Sequence, residues 1–329
     1  DYVPQVDRAG VWDVARGERL AELQGLPKDP RLLRWLPDGR HLLVSGFDRG
    51  DSTFWTRSDP NTGIWDSVSG QRLARFDGHA GPIGEPLDPR GRRVLLADLP
   101  QRNGVEVRHW QDAALAFRIA PDTHVRAASF SPDGRRIVTG DAQGQVRVWD
   151  ARDGRALQSL PGRLPNGVTA ATFSPQGGRL LAIGADGDLR VWNAGSGQQE
   201  LAFAGDALGI IDLRFSRDGQ RLLVIGRNGY KVWDLQRGLQ HFDLPGALFG
   251  LATAELFDAG HSLITDQGDW WQVAGRHRQT VFEHSNARLS GLARSSDGSR
   301  LAIADWSGRI RQWKLPIHQL AEHAYAGRI

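Results

Sequence analysis

The chain has 329 residues, 40% of them hydrophobic and 24% charged, and its 41 basic and 38 acidic residues give a formal net charge of +3. That balance can bury a core and excludes an intrinsically disordered chain. Cysteine is absent and no run of 18 apolar residues occurs, which excludes disulfides, thiolate metal sites, cysteine nucleophiles and a membrane-spanning helix.

With 40 glycines and 12 tryptophans against 3 tyrosines, the composition points to many short strands joined by tight turns. Lys28, Lys231 and Lys314 are the lysines; arginine carries the rest of the positive charge, mixed with acids and without a basic block. Such a distribution does not read as a nucleic-acid footprint. Asp1-Tyr2-Val3-Pro4 shows neither the basic nor the apolar segment of a signal peptide, so a cytoplasmic location is expected.

In chain order, strands are expected at 10–14 and 18–22. Seven first strands of successive units then follow near 32–35, 83–87, 125–130, 168–173, 210–215, 251–256 and 289–294. A tryptophan closing a short apolar run recurs at Trp12, Trp65, Trp110, Trp149, Trp192, Trp233, Trp271 and Trp313, at intervals of 38 to 53 residues. The surrounding text repeats as well, in Val11-Trp12-Asp13, Ile64-Trp65-Asp66, Val148-Trp149-Asp150, Val191-Trp192-Asn193 and Val232-Trp233-Asp234. Turn elements precede these runs: Leu36-Pro37-Asp38-Gly39, Ser131-Pro132-Asp133-Gly134, Ser174-Pro175-Gln176-Gly177, Ser216-Arg217-Asp218-Gly219 and Ser295-Ser296-Asp297-Gly298. The clearest unit reads as four strands, at 125–130, 136–139, 145–149 and 156–160, separated by Gly, Pro and Asp turns. One such unit cannot bury both of its faces, so neighbouring units must stack.

The period and the Trp-Asp endings resemble the WD-repeat family of β-propellers, over residues 10 to 314. The resemblance implies an all-β fold, a seven-bladed β-propeller of four-stranded antiparallel blades in one domain, residues 1–314. The last unit shows no fourth strand of its own, and the N-terminal strand at 18–22 is expected to close the ring there, removing an open edge. The strand at 10–14 is then either a fifth strand on that blade or the remnant of an eighth. Trp35 takes the place of Phe130, Phe173 and Phe215 and is expected to be buried. The family's Gly-His pair survives at Gly78-His79 and its turn aspartate at Asp186, while Gln143 and Ser307 stand at that position elsewhere. Packing, more than the family's buried hydrogen-bond set, is therefore expected to hold the blades together. Residues 315–329 break the pattern; Ile317, Leu320, Ala321, Ala324 and Tyr325 share one helical face, so a short C-terminal helix is expected. That tail is also similar to those following WD-repeat regions in large prokaryotic signalling ATPases, which implies the C-terminal sensor of a longer protein.

Catalytic motifs are absent from the sequence, as are Cys/His clusters with zinc spacing. His241 with Asp243, and Asp48, Asp51 and Asp59, lack the spacing of a metal site. No cofactor, no metal and no enzymatic activity are expected. Strand direction alternates, so second-to-third connections and fourth-to-next-first connections share one rim. On that rim lie Phe54 and Trp55 in the long loop of the first unit, with Arg102, His124, Arg163, Arg227, Trp270, His284 and Trp306. Trp55 either presents its ring to a partner or folds onto its own blade. Tryptophan with arginine is the usual makeup of interaction hot spots. The expected function is a non-catalytic recognition scaffold that binds a protein or peptide on this rim. The alternatives are an enzyme or cofactor propeller with its site over the central channel, and nucleic-acid binding through the arginines.

Overall fold

The computed structural model describes residues 9–13, 16, 18–48, 59–80, 84–97, 103–120, 122–203, 210–226, 229–245, 254–257, 260–265, 269–275, 277–280, 289–294, 300–305 and 310–314. Their regular elements are all β-strands, in two compact units, Asp1–Ala207 and Leu208–Ile329.

The first unit opens with a hairpin, β1 (Ala9–Asp13) and β2 (Glu18–Leu23). Antiparallel meanders follow: β3 (Asp29–Trp35), β4 (His41–Asp48), β5 (Asp59–Asp66) and β6 (Arg72–Phe76); then β7 (Arg93–Leu96), β8 (Val105–His109) and β9 (Leu115–Ile119). In the latter sheet Leu87 takes the first-strand place by bridging to Val94. β10 (Val125–Phe130), β11 (Arg136–Asp141), β12 (Val146–Asp150) and β13 (Ala156–Ser159) form the next sheet, and β14 (Val168–Phe173), β15 (Arg179–Gly184), β16 (Leu189–Asn193) and β17 (Gln199–Phe203) the last. The second unit holds β18 (Ile210–Phe215), β19 (Arg221–Gly226), β20 (Gly229–Asp234) and β21 (Leu239–Pro245). After these come β22 (Ala254–Phe257), β23 (Ser262–Thr265), β24 (Asp269–Gln272) and β25 (His277–Thr280), and the three-stranded sheet β26 (Leu289–Arg294), β27 (Arg300–Asp305) and β28 (Ile310–Lys314).

Burial falls from the middle of each sheet outwards. Second strands such as β11 and β15 are buried on both faces after their first residue, whereas the fourth strand β13 is mostly exposed. Neighbouring sheets cover the former, which therefore read as continuous apolar runs. The repeated turn text has a local cause. Ser131 Oγ accepts from the Arg136 amide at 2.9 Å and donates to Asp133 at 2.6 Å, while Gly134 adopts the left-handed conformation (φ 68°) that a side chain disfavours. Ser216, Asp218 and Gly219 repeat this arrangement. Where Asp or Asn follows the Trp it caps the following turn: Asp66 accepts the amides of Val68 and Ser69, and Asn193 those of Gly195 and Ser196. Just before the Trp the pairing with the fourth strand shifts register, at Ile64/Trp65, Val148/Trp149 and Val191/Trp192. Trp65 and Trp192 are fully buried and Trp149 is nearly so, each packed against the sheet before its own.

The strand at 18–22 pairs with β1 in a hairpin packed through Val11 and Leu23 on Leu42, Val44 and Trp65. Two expectations need correction. Trp110 is not the repeat tryptophan of its sheet. The register shift falls at Val107/Arg108, and Arg108 lies opposite Val94 as Trp149 lies opposite Ile137. Trp110 stands in the following turn and packs back on the preceding sheet, its Nε1 donating to Gly91 O at 2.7 Å and its ring 4.9 Å from His41. Trp35 does hold the register of Phe130, but it is 49% exposed.

Between sheets of the first unit, arginines span the seam. Arg93 lies over Phe130 at 5.4 Å and donates to Ala151 O. Arg136 lies over Phe173 at 5.1 Å and donates to Ala194 O and Gly177 O at 2.5 and 3.1 Å. The Trp indoles add a second set of bonds: Trp65 Nε1 donates to Gln24 O at 2.7 Å and Trp192 Nε1 to Pro161 O at 3.1 Å, both on the chain leaving the preceding sheet. Trp149 instead donates to Thr139 Oγ1 within its own sheet, at 2.8 Å.

Candidate functional site

Loops of one rim in the first unit are stitched together by backbone hydrogen bonds. The Ala142 amide donates to His124 O at 2.9 Å, the Leu164 amide to Gly144 O at 3.0 Å, and the Ala185 amide to Gly167 O at 3.0 Å. Each bond joins a fourth-to-first loop to a second-to-third turn, so these connections share a rim as strand alternation requires. The turn 142–144 thereby links the loop of His124 to the loop of Arg163. His124 is half-buried and Arg163 exposed. Below them Asp141 is buried, accepting the amides of Gln143 and Gln145 and pairing with Arg147 at 3.2 Å.

The other expected site residues divide differently. Phe54, Trp55, Arg102, Arg227, His284 and Trp306 lie outside the described residues, as do residues 315–329. Trp270 is a correction. It belongs to β24, paired with Ile264 and Gln279, and is only 5% exposed. Its register is that of Val148, an apolar core position, so the ring is packing and not display.

A polar position recurring from sheet to sheet was not anticipated. Arg34, Ser129 and Thr172 in the first unit, and Arg214 and Glu255 in the second, share one register on the first strands, opposite Leu43, Val138, Leu181, Leu223 and Ile264. Arg214 pairs with Glu255. Glu85 enters the first unit's set through its backbone: its amide donates to Ser129 Oγ at 2.9 Å and its carbonyl accepts from Phe130 at 2.9 Å. Burial pushes the Glu85 carboxyl upward, opposed by the charge of Arg34. The legible signal was the residue preceding the repeated aromatic, as in Arg34-Trp35 and Arg214-Phe215. Another ion-pair site takes the place vacated where Arg108 replaces tryptophan. Glu106, 2% exposed, is held at 2.7 Å by Arg108 and 2.8 Å by Arg118. Burial disfavours its charge, and the two guanidiniums more than offset that and hold its carboxyl below the usual range. Among the described residues, no group of three or more His, Asp or Glu side chains is placed to hold a metal ion.

Four-stranded antiparallel units with a Trp-Asp third strand, repeated along the chain, have the form of WD-type blades. Residues 118–150, 154–193 and 275–314 match the profile of the WD domain, G-beta repeat. The chain carries WD repeats at these places and resembles the WD-repeat family. It is 29% identical over 156 residues to Protein groucho of Drosophila melanogaster, across 45% of this chain and 20% of that protein. It is 26% identical to WD repeat-containing protein 1 of Gallus gallus, across 49% of this chain and 26% of that one. A WD repeat-containing protein of Deinococcus radiodurans is 30% identical over 173 residues, 45% of this chain and 62% of its relative. The matched segments thus span between a fifth and three fifths of these relatives' lengths. Among solved structures, the computationally designed Ika8 protein shares the fold, with a TM-score of 0.64 at 21% identity over 91% of this chain and 87% of the other.

Proposed function

We propose that this chain is a non-catalytic, cytoplasmic protein-interaction scaffold that binds a protein or peptide partner on the rim carrying His124 and Arg163. The observation that supports this reading most is the stitched band of loops. Backbone bonds join its loops, with the Asp141 carboxylate capping the turn between them, and the side chain of Arg163 is exposed on it for recognition. The same proposal places the repeats of residues 1–314 in one propeller with seven first strands, residues 315–329 in a helical tail, and Phe54, Trp55, Arg102, Arg227, His284 and Trp306 on the same rim as His124. WD-repeat relatives support the scaffold class, and fold alone does not name the partner.

The test is affinity capture from source lysate with the parent chain and a Trp55→Ala/Arg163→Ala variant, at two salt concentrations. A protein recovered by the parent at both and lost with the variant is the expected result. Recovery of nucleic acid that high salt releases would overturn the reading, because phosphate contacts weaken steeply with salt.

A further inference from the structure

The turns joining first to second strands lie on the rim opposite that of His124, and within the first unit three of them sit side by side. A side chain at Gly91 would collide with the Pro37 ring, and one at Gly134 would crowd the Pro89 ring. Two side chains build the turn at 131–136: Asp133 accepts the Arg135 amide at 3.0 Å and Ser131 Oγ accepts the Arg136 amide at 2.9 Å. In the turn at 88–93 one residue does both. Asp88, 4% exposed, accepts the Arg92 and Arg93 amides at 2.6 and 3.0 Å. Position 90 is thereby released from turn building. It holds an arginine at the place of Asp38, Asp133 and Asp218, each of which caps its own turn.

The adjacent turns at 88–93 and 131–136 hold Arg90, Arg92, Arg93, Arg135 and Arg136 against Asp88 and Asp133, an excess that equals the whole chain's formal net charge of +3. Arg93 and Arg136 lie across the seams, over Phe130 and Phe173. Arg90, Arg92 and Arg135 are exposed, and among the described residues no carboxylate pairs with their guanidiniums. Backbone bonds hold two of them in place: Arg92 O accepts the Trp110 amide at 3.3 Å and Arg135 O the Ala151 amide at 2.9 Å. We propose that Arg90, Arg92 and Arg135 form a docking surface for an acidic segment of a protein partner, a short run of aspartates or glutamates. Planar guanidiniums take carboxylates through paired hydrogen bonds. The patch also ends after two turns. On one side Arg40 is committed to Asp66 at 2.6 Å, beside Asp38; on the other, Gln176 and Gly178 stand in the places of Arg90 and Arg92. Such a footprint suits a short acidic segment, whereas nucleic acid is held by a longer row of phosphate contacts. The inference does not depend on partner binding at His124 and Arg163.

Anisotropy of a fluorescein-labelled oligoglutamate peptide titrated with the full chain tests this. Arg90→Asp installs the residue of the neighbouring turns, so thermal unfolding should stay unchanged while binding weakens ~10-fold. Arg90→Ala/Arg135→Ala removes two guanidiniums without touching a turn bond and should weaken binding to a similar degree. Arg75→Glu, exposed on β6, alters the net charge as much as Arg90→Asp does and should bind like the parent. A parent that does not bind the peptide, or rim variants that bind as tightly as the parent, would overturn the proposal. So would equal weakening by Arg75→Glu, because the attraction is then the charge of the whole chain. Tighter binding of a single-stranded oligonucleotide of the same charge would also overturn it, the partner then being a nucleic acid.

Discussion

Arg136→Ala tests whether arginines across the seams hold successive sheets together. The change removes a guanidinium from above the Phe173 ring and two charge-assisted hydrogen bonds to Ala194 O and Gly177 O. The stacking contributes ~0.5–2 kcal/mol, and hydrogen bonds from a charged group ~1.5–3 kcal/mol each. The bonds are only part-buried and the terms are coupled, so we expect a net loss of about 2–4 kcal/mol. Urea denaturation followed by tryptophan fluorescence reads it, and in a unit of this size the loss corresponds to a Tm lowered by roughly 5–15 °C. Arg136→Lys should recover less than half, because an ammonium neither stacks flat nor reaches both carbonyls. The exposed neighbour Arg135→Ala is the reference, within ~0.5 kcal/mol of the parent. A double-mutant cycle with Phe173→Leu should show ~0.5–2 kcal/mol of coupling. An Arg136→Ala chain as stable as Arg135→Ala, or a cycle without coupling, would refute the reasoning.

Thr139→Val removes the acceptor of the Trp149 indole N–H while keeping side-chain volume. Both residues are buried, so an unsatisfied donor should cost ~1–3 kcal/mol in the same denaturation assay, with Thr139→Ser recovering most of it. Asp66 titrates at about 2 in the folded chain, down from 3.8, because the amides of Ser69 and Val68 and then the Arg40 guanidinium favour its charge. A depressed folded pKa contributes stability that is present above about pH 4 and lost as pH falls towards 2. Asp66→Asn should therefore be less stable than the parent at pH 7 and show a shallower loss between pH 4 and 2. Parallel acid-unfolding curves for the two chains would contradict that origin.

The repeat was legible because its marks are local. Ser131, Asp133 and Gly134 build a turn from their own backbone and side chains, and Asp66 or Asn193 caps the next one, so each leaves a short recurring string. Positions set by a neighbouring sheet left no such trace. Trp110 fitted the string but not the register, and only strand pairing shows Arg108 in the tryptophan place; counted from Arg108, the intervals from Trp65 and to Trp149 become 43 and 41 residues. Trp270 sits beside a turn in the sequence, yet its pairing with Ile264 puts it in the core. Trp35 was assigned to the correct register, but burial there depends on what lies across the seam. The polar register of Arg34, Ser129, Thr172, Arg214 and Glu255 was hidden because it mixes charge signs and hydroxyls. Only the pairing aligns them.

The same contrast bears on where function can change without loss of the fold. At the seams, Arg93, Arg136 and the Trp indoles make the contacts between sheets with their side chains, so substitution there lowers stability. On the rim, amides and carbonyls join the loops of His124 and Arg163 to the turn at 142–144, and an exposed side chain on such a loop has little folding work to do. Arg163→Glu should accordingly unfold within ~0.5 kcal/mol of the parent while reversing charge at the centre of the proposed contact. Stability lost on that substitution would place Arg163 among the structural arginines and move the interaction surface elsewhere on the rim.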